Sequence, residues 1–157
     1  MLTIFDLDHT VIDSSHRQAT LADGSLNLAH WIENNTREKI LADSLLPLAA
    51  QMRDLIDRKK TVAICTARVI GAADIEFLRL HGLYTPLIYS RQNGDTQADR
   101  FLKHGLLRGM AQDFRLPWAR FCRTSIMLDD NKSVIEYLRG YGVRVYNAIS
   151  INERLAA

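Results

Sequence analysis

Short apolar runs recur along the chain with room for one helix between most neighbours, and this alternation is the strongest constraint on its fold. Leu2–Phe5, Thr61–Cys65, Leu87–Tyr89, Thr124–Leu128 and Val143–Tyr146 read as buried strands. Between them, apolar residues at helical spacing predict helices over 44–58, 74–81, about 97–108 and about 132–139. Pro47 falls in the first turn of the first of these, and Gly82 ends the second. Residues 11–43 have poor periodicity and an Asp23-Gly24 turn signal, so they read as a short insert of loop and small helical pieces. Strands alternating with helices predict an α/β fold, a parallel sheet covered by helices on both faces.

The bulk properties fit one domain over residues 1–157. A chain of 157 residues can bury a full core, and its 47% hydrophobic and 24% charged residues are ordinary for a globular protein. A formal net charge of +2 does not argue for nucleic-acid binding. Residues 91–123 are locally basic, with Arg91, Arg100, Lys103, His104, Arg108, Arg115, Arg120 and Arg123; the plain reading is a solvated face. The two cysteines, Cys65 and Cys122, are too few for a disulfide framework and fit a reducing cytosol. Cys65 reads as a small buried filler. No secretion signal and no run of the roughly 18 apolar residues needed to span a bilayer occurs, so a cytoplasmic location and no membrane partner are expected.

In a parallel sheet, ligands gather at the carboxyl ends of the strands. The polar clusters at 6–10, 66–68 and 129–131 all fall there. Asp6 and Asp8 leave the first strand together, and Asp129 and Asp130 leave another; carboxylates so gathered repel unless a cation neutralises them. Oxygen ligands of this kind suit Mg²⁺. Magnesium beside a carboxylate is an arrangement for phosphoryl transfer, in which an aspartate can attack phosphorus directly. Asp6 is the candidate nucleophile, Asp8 the candidate acid and base, and Thr66 and Lys103 candidate contacts to the phosphoryl group.

The sequence Asp6-Leu7-Asp8-His9-Thr10, followed in order by Thr66, Lys103 and Asp129-Asp130, resembles the motifs of haloacid-dehalogenase-like (HAD) phosphohydrolases over most of the chain. The resemblance implies a Rossmann-like HAD fold with a small or absent cap, the segment 11–43 standing in place of a large one. It implies an aspartyl-phosphate at Asp6, general acid/base work by Asp8, and Mg²⁺ held by Asp6, the main-chain carbonyl of Asp8, Asp129 and Asp130. His9 departs from the pattern, which usually has glycine there, and it joins Thr10 and Arg68 as a candidate substrate contact.

A narrower resemblance runs through Thr66-Ala67-Arg68, Gly94–Lys103 and Leu128–Val143, which are similar to the phosphatase half of phage-type polynucleotide kinase/phosphatases. That half removes 3′-phosphates from nucleic-acid ends. No Gly-x-x-x-x-Gly-Lys-Ser/Thr loop occurs, so kinase activity is not expected. The expected activity is a Mg²⁺-dependent phosphomonoesterase acting on a 3′-phosphorylated nucleic-acid end or a nucleotide. The alternatives are a small-molecule phosphatase such as a nucleotidase, and a catalytically idle phosphate-binding domain, which the presence of both Asp6 and Asp8 disfavours.

Several residues keep two readings. Arg68 grips phosphate or pairs with Asp95 or Asp99. Asn131 bonds the neighbouring acids or caps the next helix. Trp31 is core or stacks on a base. His16 and Arg17 read as solvated loop.

Overall fold

Strand β1 (Leu2–Phe5) is followed by a two-residue strand β2 (Ile12–Asp13), helices α1 (Leu28–Glu33) and α2 (Arg37–Leu41), and strand β3 (Ser44–Leu45). Then come α3 (Leu48–Asp57), β4 (Thr61–Thr66), α4 (Ala72–Leu80), β5 (Ile88–Ser90), α5 (Asp99–Asp113) and α6 (Trp118–Thr124). The chain closes with β6 (Ser125–Asp129), α7 (Lys132–Gly140), β7 (Val145–Asn147) and α8 (Ala148–Ala156). This is a computed structural model, and it describes residues 1–157.

The main sheet has the order β5-β4-β1-β6-β7, and every pairing in it is parallel. Side chains alternate across a strand, so each central strand feeds both faces. Ile4, Ala63, Cys65 and Met127 face a core built from Leu107, Met110 and Phe121, with Val134 and Leu138 of α7. Phe5, Val62, Ile64 and Leu128 face the other core, with Leu48 and Met52 of α3, Phe77 and Leu78 of α4, and Ala148 of α8. Helices thus cover both faces, as the alternation predicts. No helix is long and apolar enough to cross a membrane.

Four elements differ from the sequence reading by more than two residues, each for a packing reason. Ser44–Leu45 pairs antiparallel with Ile12–Asp13, so the helix starts after Pro47. α5 runs on through Gly105 and Gly109 to Asp113, because buried Leu107, Met110 and Ala111 offset the cost of about 1 kcal/mol per glycine. The stretch after Pro117, expected to be loose, forms α6 around buried Phe121 and Cys122. α8 was not anticipated. Its buried Asn152 accepts from Leu48 N at 2.8 Å and donates to the Thr10 carbonyl at 2.9 Å, tying the carboxyl terminus to the first loop.

The β2–β3 pair closes off residues 14–43 as an excursion at the carboxyl edge of the sheet. It carries a 3-10 turn over Ser15–Arg17, a Thr20–Leu26 bridge, and the short helices α1 and α2. Arg37 of α2 reaches Glu76 of α4 through two hydrogen bonds of 2.9 and 2.6 Å.

Candidate active site

The three central strands deliver the candidate reactive groups. Asp6 is the first residue beyond β1, and its N–H still donates to Leu128 O at 3.0 Å, which holds it against β6. Thr66 ends β4 and Asp129 ends β6, both buried. Lys103 enters from the second turn of α5 and sets its Nζ 3.0 Å from Asp6 Oδ1 and 2.7 Å from Asp129 Oδ2. Oxygens of Asp6, Asp129 and Asp130 lie within 4.8 Å of one another.

Burial pushes the Asp6 carboxyl well above the usual carboxylate range; Lys103 opposes this, while Asp129, Asp130 and Asp8 add repulsion. Asp130 is raised as well, by burial and then by Asp129. Lys103 is shifted upward despite its burial, because Asp6 and Asp129 hold its proton. One ammonium therefore faces three carboxylates, and the surplus negative charge on oxygen donors fits a hard divalent cation such as Mg²⁺.

Asp8 stands apart from this cluster. Its carboxylate accepts from Arg68 Nε at 3.1 Å, Arg68 Nη2 at 2.5 Å and Ser14 Oγ at 2.6 Å. Burial works to raise it, but the Arg68 charge and these hydrogen bonds outweigh burial and hold it below the ordinary value. Asp6 and Asp8, neighbours but one in sequence, are thus driven in opposite directions by what surrounds them, the pattern expected of carboxyl groups with different roles.

Behind Asp8 lies a buried charged network. Arg68 Nη1 donates to Asp74 Oδ1 at 2.7 Å, and Asp43 lies 3.6 Å from Arg68 Nη2. Arg17, fully buried, donates to both oxygens of Asp43 at 2.8 and 2.9 Å. His16 Nε2 meets the same carboxylate at 2.8 Å. Trp31 covers the assembly, its ring centroid 4.2 Å from the Arg17 guanidinium and 5.7 Å from that of Arg68.

Several sequence readings are corrected here. Arg68 does not pair with Asp95 or Asp99; Arg91 does, reaching Asp99 Oδ1 at 2.7 Å and the carbonyls of Ala67, Asp95 and Gln97. Arg91 is therefore a brace for the loop that leads into α5 rather than part of a solvated face. Arg17 is not part of a solvated loop but fully buried, whereas His16 is exposed as expected, with its Nε2 on Asp43. Trp31 belongs to neither apolar core; it is half-buried with the Arg17 guanidinium against its ring. Ser14, Asp43 and Asp74 belong to no periodic pattern that marks them as site residues, and only the Asp74 position, in the first turn of a helix, carries a local signal.

Other readings meet the structure more simply. Asn131 caps α7, accepting from Ser133 N at 2.9 Å, while its own N–H donates to Asp129 Oδ1 at 2.9 Å, so both readings apply. His9 has a φ of +57°, the left-handed region that favours glycine, which accounts for the residue usual in that motif. Its Nε2 lies 3.0 Å from Gln18 Oε1. Thr66 Oγ1 accepts from Arg68 N at 3.1 Å. The buried Thr10 hydroxyl has no hydrogen-bond partner in the protein.

The family described as bacteriophage T5 5′-deoxynucleotidase matches residues 1–157. The 5′-deoxynucleotidase of Escherichia phage T5 is 30% identical over 179 residues, an alignment covering 98% of this chain and 69% of that protein. Among solved structures, a haloacid dehalogenase-like family hydrolase from Streptococcus pneumoniae superposes with a TM-score of 0.64 at 13% identity, over 97% of this chain and 90% of that one. A chain of the Pnkp1/Rnl/Hen1 RNA repair complex gives 0.62 at 20% identity, over 93% of this chain and 41% of that one. A HAD-superfamily hydrolase of subfamily IA from Geobacter sulfurreducens gives 0.61 at 14% identity, over 93% and 88%. The fold is that of the HAD superfamily.

Proposed function

The chain belongs to the bacteriophage T5 5′-deoxynucleotidase family, and on that premise we propose that it is a Mg²⁺-dependent phosphomonoesterase that removes the 5′-phosphate of deoxynucleoside monophosphates. The observation that carries the reading is the buried group of Asp6, Asp129, Asp130 and Lys103 at the strand ends, with Asp8 held separately beside it.

Asp6, Asp129 and Asp130 would hold the cation, with the Asp8 main-chain carbonyl completing the protein's share. Bound there, Mg²⁺ supplies positive charge against the phosphate oxygens and the carboxylates. Asp6 attacks phosphorus through one carboxylate oxygen; the new O–P bond forms as the bond to the nucleoside oxygen breaks, giving an aspartyl-phosphate. Asp8 delivers its proton to that leaving oxygen. Water then attacks the phosphorus of the acyl-phosphate, Asp8 takes a proton from it, and Asp6 is released with inorganic phosphate. Lys103 neutralises the phosphoryl oxygens, and the Thr66 hydroxyl, whose oxygen accepts from Arg68 N, donates its proton to one of them.

Arg68 holds Asp8 ionised in the free site, which suits the water-activating half of the cycle. For the first half Asp8 must acquire a proton, and the incoming phosphate dianion competes with it for the Arg68 charge.

The family relationship favours a mononucleotide over the 3′-phosphorylated nucleic-acid end suggested by the narrower resemblance. The likeness to the RNA repair complex is one of fold, and Arg91 is spent on the protein's own loop. The test is a substrate panel in Mg²⁺: a 5′-deoxynucleotide, its 3′-isomer, and a 3′-phosphorylated oligonucleotide. The highest kcat/KM is expected for the 5′-deoxynucleotide; a clear preference for the oligonucleotide end would restore the 3′-phosphatase reading.

A further inference from the structure

Besides Arg68, Asp8 has a second set of partners, and they form a chain. Ser14 Oγ lies 2.6 Å from Asp8 Oδ1, Gln18 Nε2 lies 2.9 Å from Ser14 Oγ, and His9 Nε2 lies 3.0 Å from Gln18 Oε1. We propose that Gln18, acting with His9 and Ser14, is a positioning residue that reserves one oxygen of Asp8, Oδ2, for the proton exchanged with the leaving group and with water. The proposal rests on the acid and base role given to Asp8 above, and it assigns which oxygen performs that role and what holds it in place.

The direction of the chain follows from its carboxylate end. An ionised carboxylate only accepts, so the single hydroxyl proton of Ser14 points at Asp8. Ser14 Oγ then accepts from the Gln18 amide, whose carbonyl is left facing His9, and His9 donates through its Nε2–H. With the amide turned the other way, Ser14 would give its proton to Gln18, and two oxygens with no proton between them would face each other at 2.6 Å. His9 reaches Gln18 from a backbone with a φ of +57°, and strain of this kind persists only where the surroundings hold it. The chain runs inward from half-buried His9 and Gln18 to fully buried Ser14.

The two carboxylate oxygens are not equivalent. Each has two lone pairs; Oδ1 receives Ser14 Oγ and Arg68 Nη2 and is full, whereas Oδ2 receives only Arg68 Nε, at 3.1 Å. The free site on Oδ2 is where the acid form carries its proton, and the 23% exposure of the Asp8 side chain keeps it within reach of substrate. In the first half of the cycle that proton passes from Oδ2 to the nucleoside oxygen as its bond to phosphorus breaks. In the second half the same site takes a proton from the attacking water. A phosphate dianion draws on the Arg68 charge during the cycle, and Ser14 is then the donor that keeps Asp8 from turning. Gln18 occupies the acceptor side of the Ser14 hydroxyl, which fixes the hydroxyl proton on Oδ1.

The test is kcat/KM in Mg²⁺ for a 5′-deoxynucleotide and for p-nitrophenyl phosphate, in wild type, Gln18→Glu, Gln18→Met and Asp8→Asn. The nucleoside leaves as an alkoxide that needs a proton, whereas p-nitrophenolate departs without one, so the ratio of the two isolates acid catalysis from general damage to the fold. Gln18→Glu keeps the shape of Gln18 but offers Ser14 only acceptors, which draws the hydroxyl proton away from Asp8. It should lower kcat/KM for the nucleotide roughly tenfold more than for the chromogenic ester. Gln18→Met, which fills the space and bonds neither neighbour, should show the same selectivity, and Asp8→Asn a larger one. Equal losses on the two esters, or no loss, in either Gln18 variant beside a selective loss in Asp8→Asn would overturn the positioning role and leave Asp8 as the acid. No selectivity in Asp8→Asn would overturn the acid role itself, and the positioning role with it.

Discussion

Lys103 decides how much negative charge the end of the sheet can carry without a cation. Its ammonium serves Asp6 and Asp129 at once, and Asp130 stays outside its hydrogen bonds. Replacing Asp6 by Asn therefore has two separable effects. On the proposed mechanism the nucleophile is lost, so turnover should fall by roughly 10³-fold or more, and acid-quenched protein should carry no phosphoryl label. The buried repulsion is also relieved, and Lys103 keeps Asp129 at 2.7 Å, so the Tm of the chelated protein should not fall. A phosphoryl label at the wild-type level on Asp6→Asn would move the nucleophile elsewhere. At this scale the sequence was informative wherever a residue type at a strand end implied chemistry, as at Asp6, Asp129 and Thr66. It misleads at Arg17, which reads as solvated loop, because an arginine in an aperiodic loop gives no sign that a carboxylate 26 residues away will bury it.

Among the elements, the β2–β3 excursion is held by charge where the two cores are held by apolar burial. Arg17 has a side-chain exposure of 0% and makes both of its Asp43 contacts out of contact with water. Removing one partner of such a pair leaves the other charge buried and unmatched, which costs about 3–5 kcal/mol. Arg17→Ala should lose stability on that scale in urea denaturation, and Arg17→Met with Asp43→Leu should recover much of it. A loss below about 1 kcal/mol in Arg17→Ala would mean the excursion is held by other contacts. The strands and most helices were legible because burial on both faces writes continuous apolar runs and amphipathic helices write a period. α6 was not, since a seven-residue helix spans too few turns for a period to emerge, and neither was the nine-residue α8. The Asn152 bridge that seats α8 joins residues 104 and 142 positions apart, beyond the reach of any local pattern.

For the molecule as a whole, the cluster should make stability depend on pH and on metal together. Asp6 and Asp130 have folded-state pKa values above the ordinary 3.8, so between that value and the raised ones the folded metal-free protein binds more protons than the unfolded chain. Stability then falls as pH rises through that window, because the slope follows the protons bound by the unfolded chain minus those bound by the folded one. Asp8 has the opposite sign: lowered by Arg68 and Ser14 against its burial, it contributes stability above pH 3.8 that is lost as pH falls through its depressed value. In chelator, the Tm should therefore pass through a maximum on the acid side of neutrality and decline toward alkaline pH. Mg²⁺ binds the ionised carboxylates, so it should raise the Tm most at the alkaline end and flatten the decline, by an amount that grows with the logarithm of its concentration above Kd. Scanning Tm against pH in chelator and in Mg²⁺ checks both signs. Superimposable curves, or a metal effect that grows toward acid, would remove the cation from Asp6, Asp129 and Asp130. Calcium at equal concentration separates general charge neutralisation from a fit to the smaller ion, because only charge matters to the stability slope, whereas turnover also requires the tighter oxygen geometry that Mg²⁺ demands.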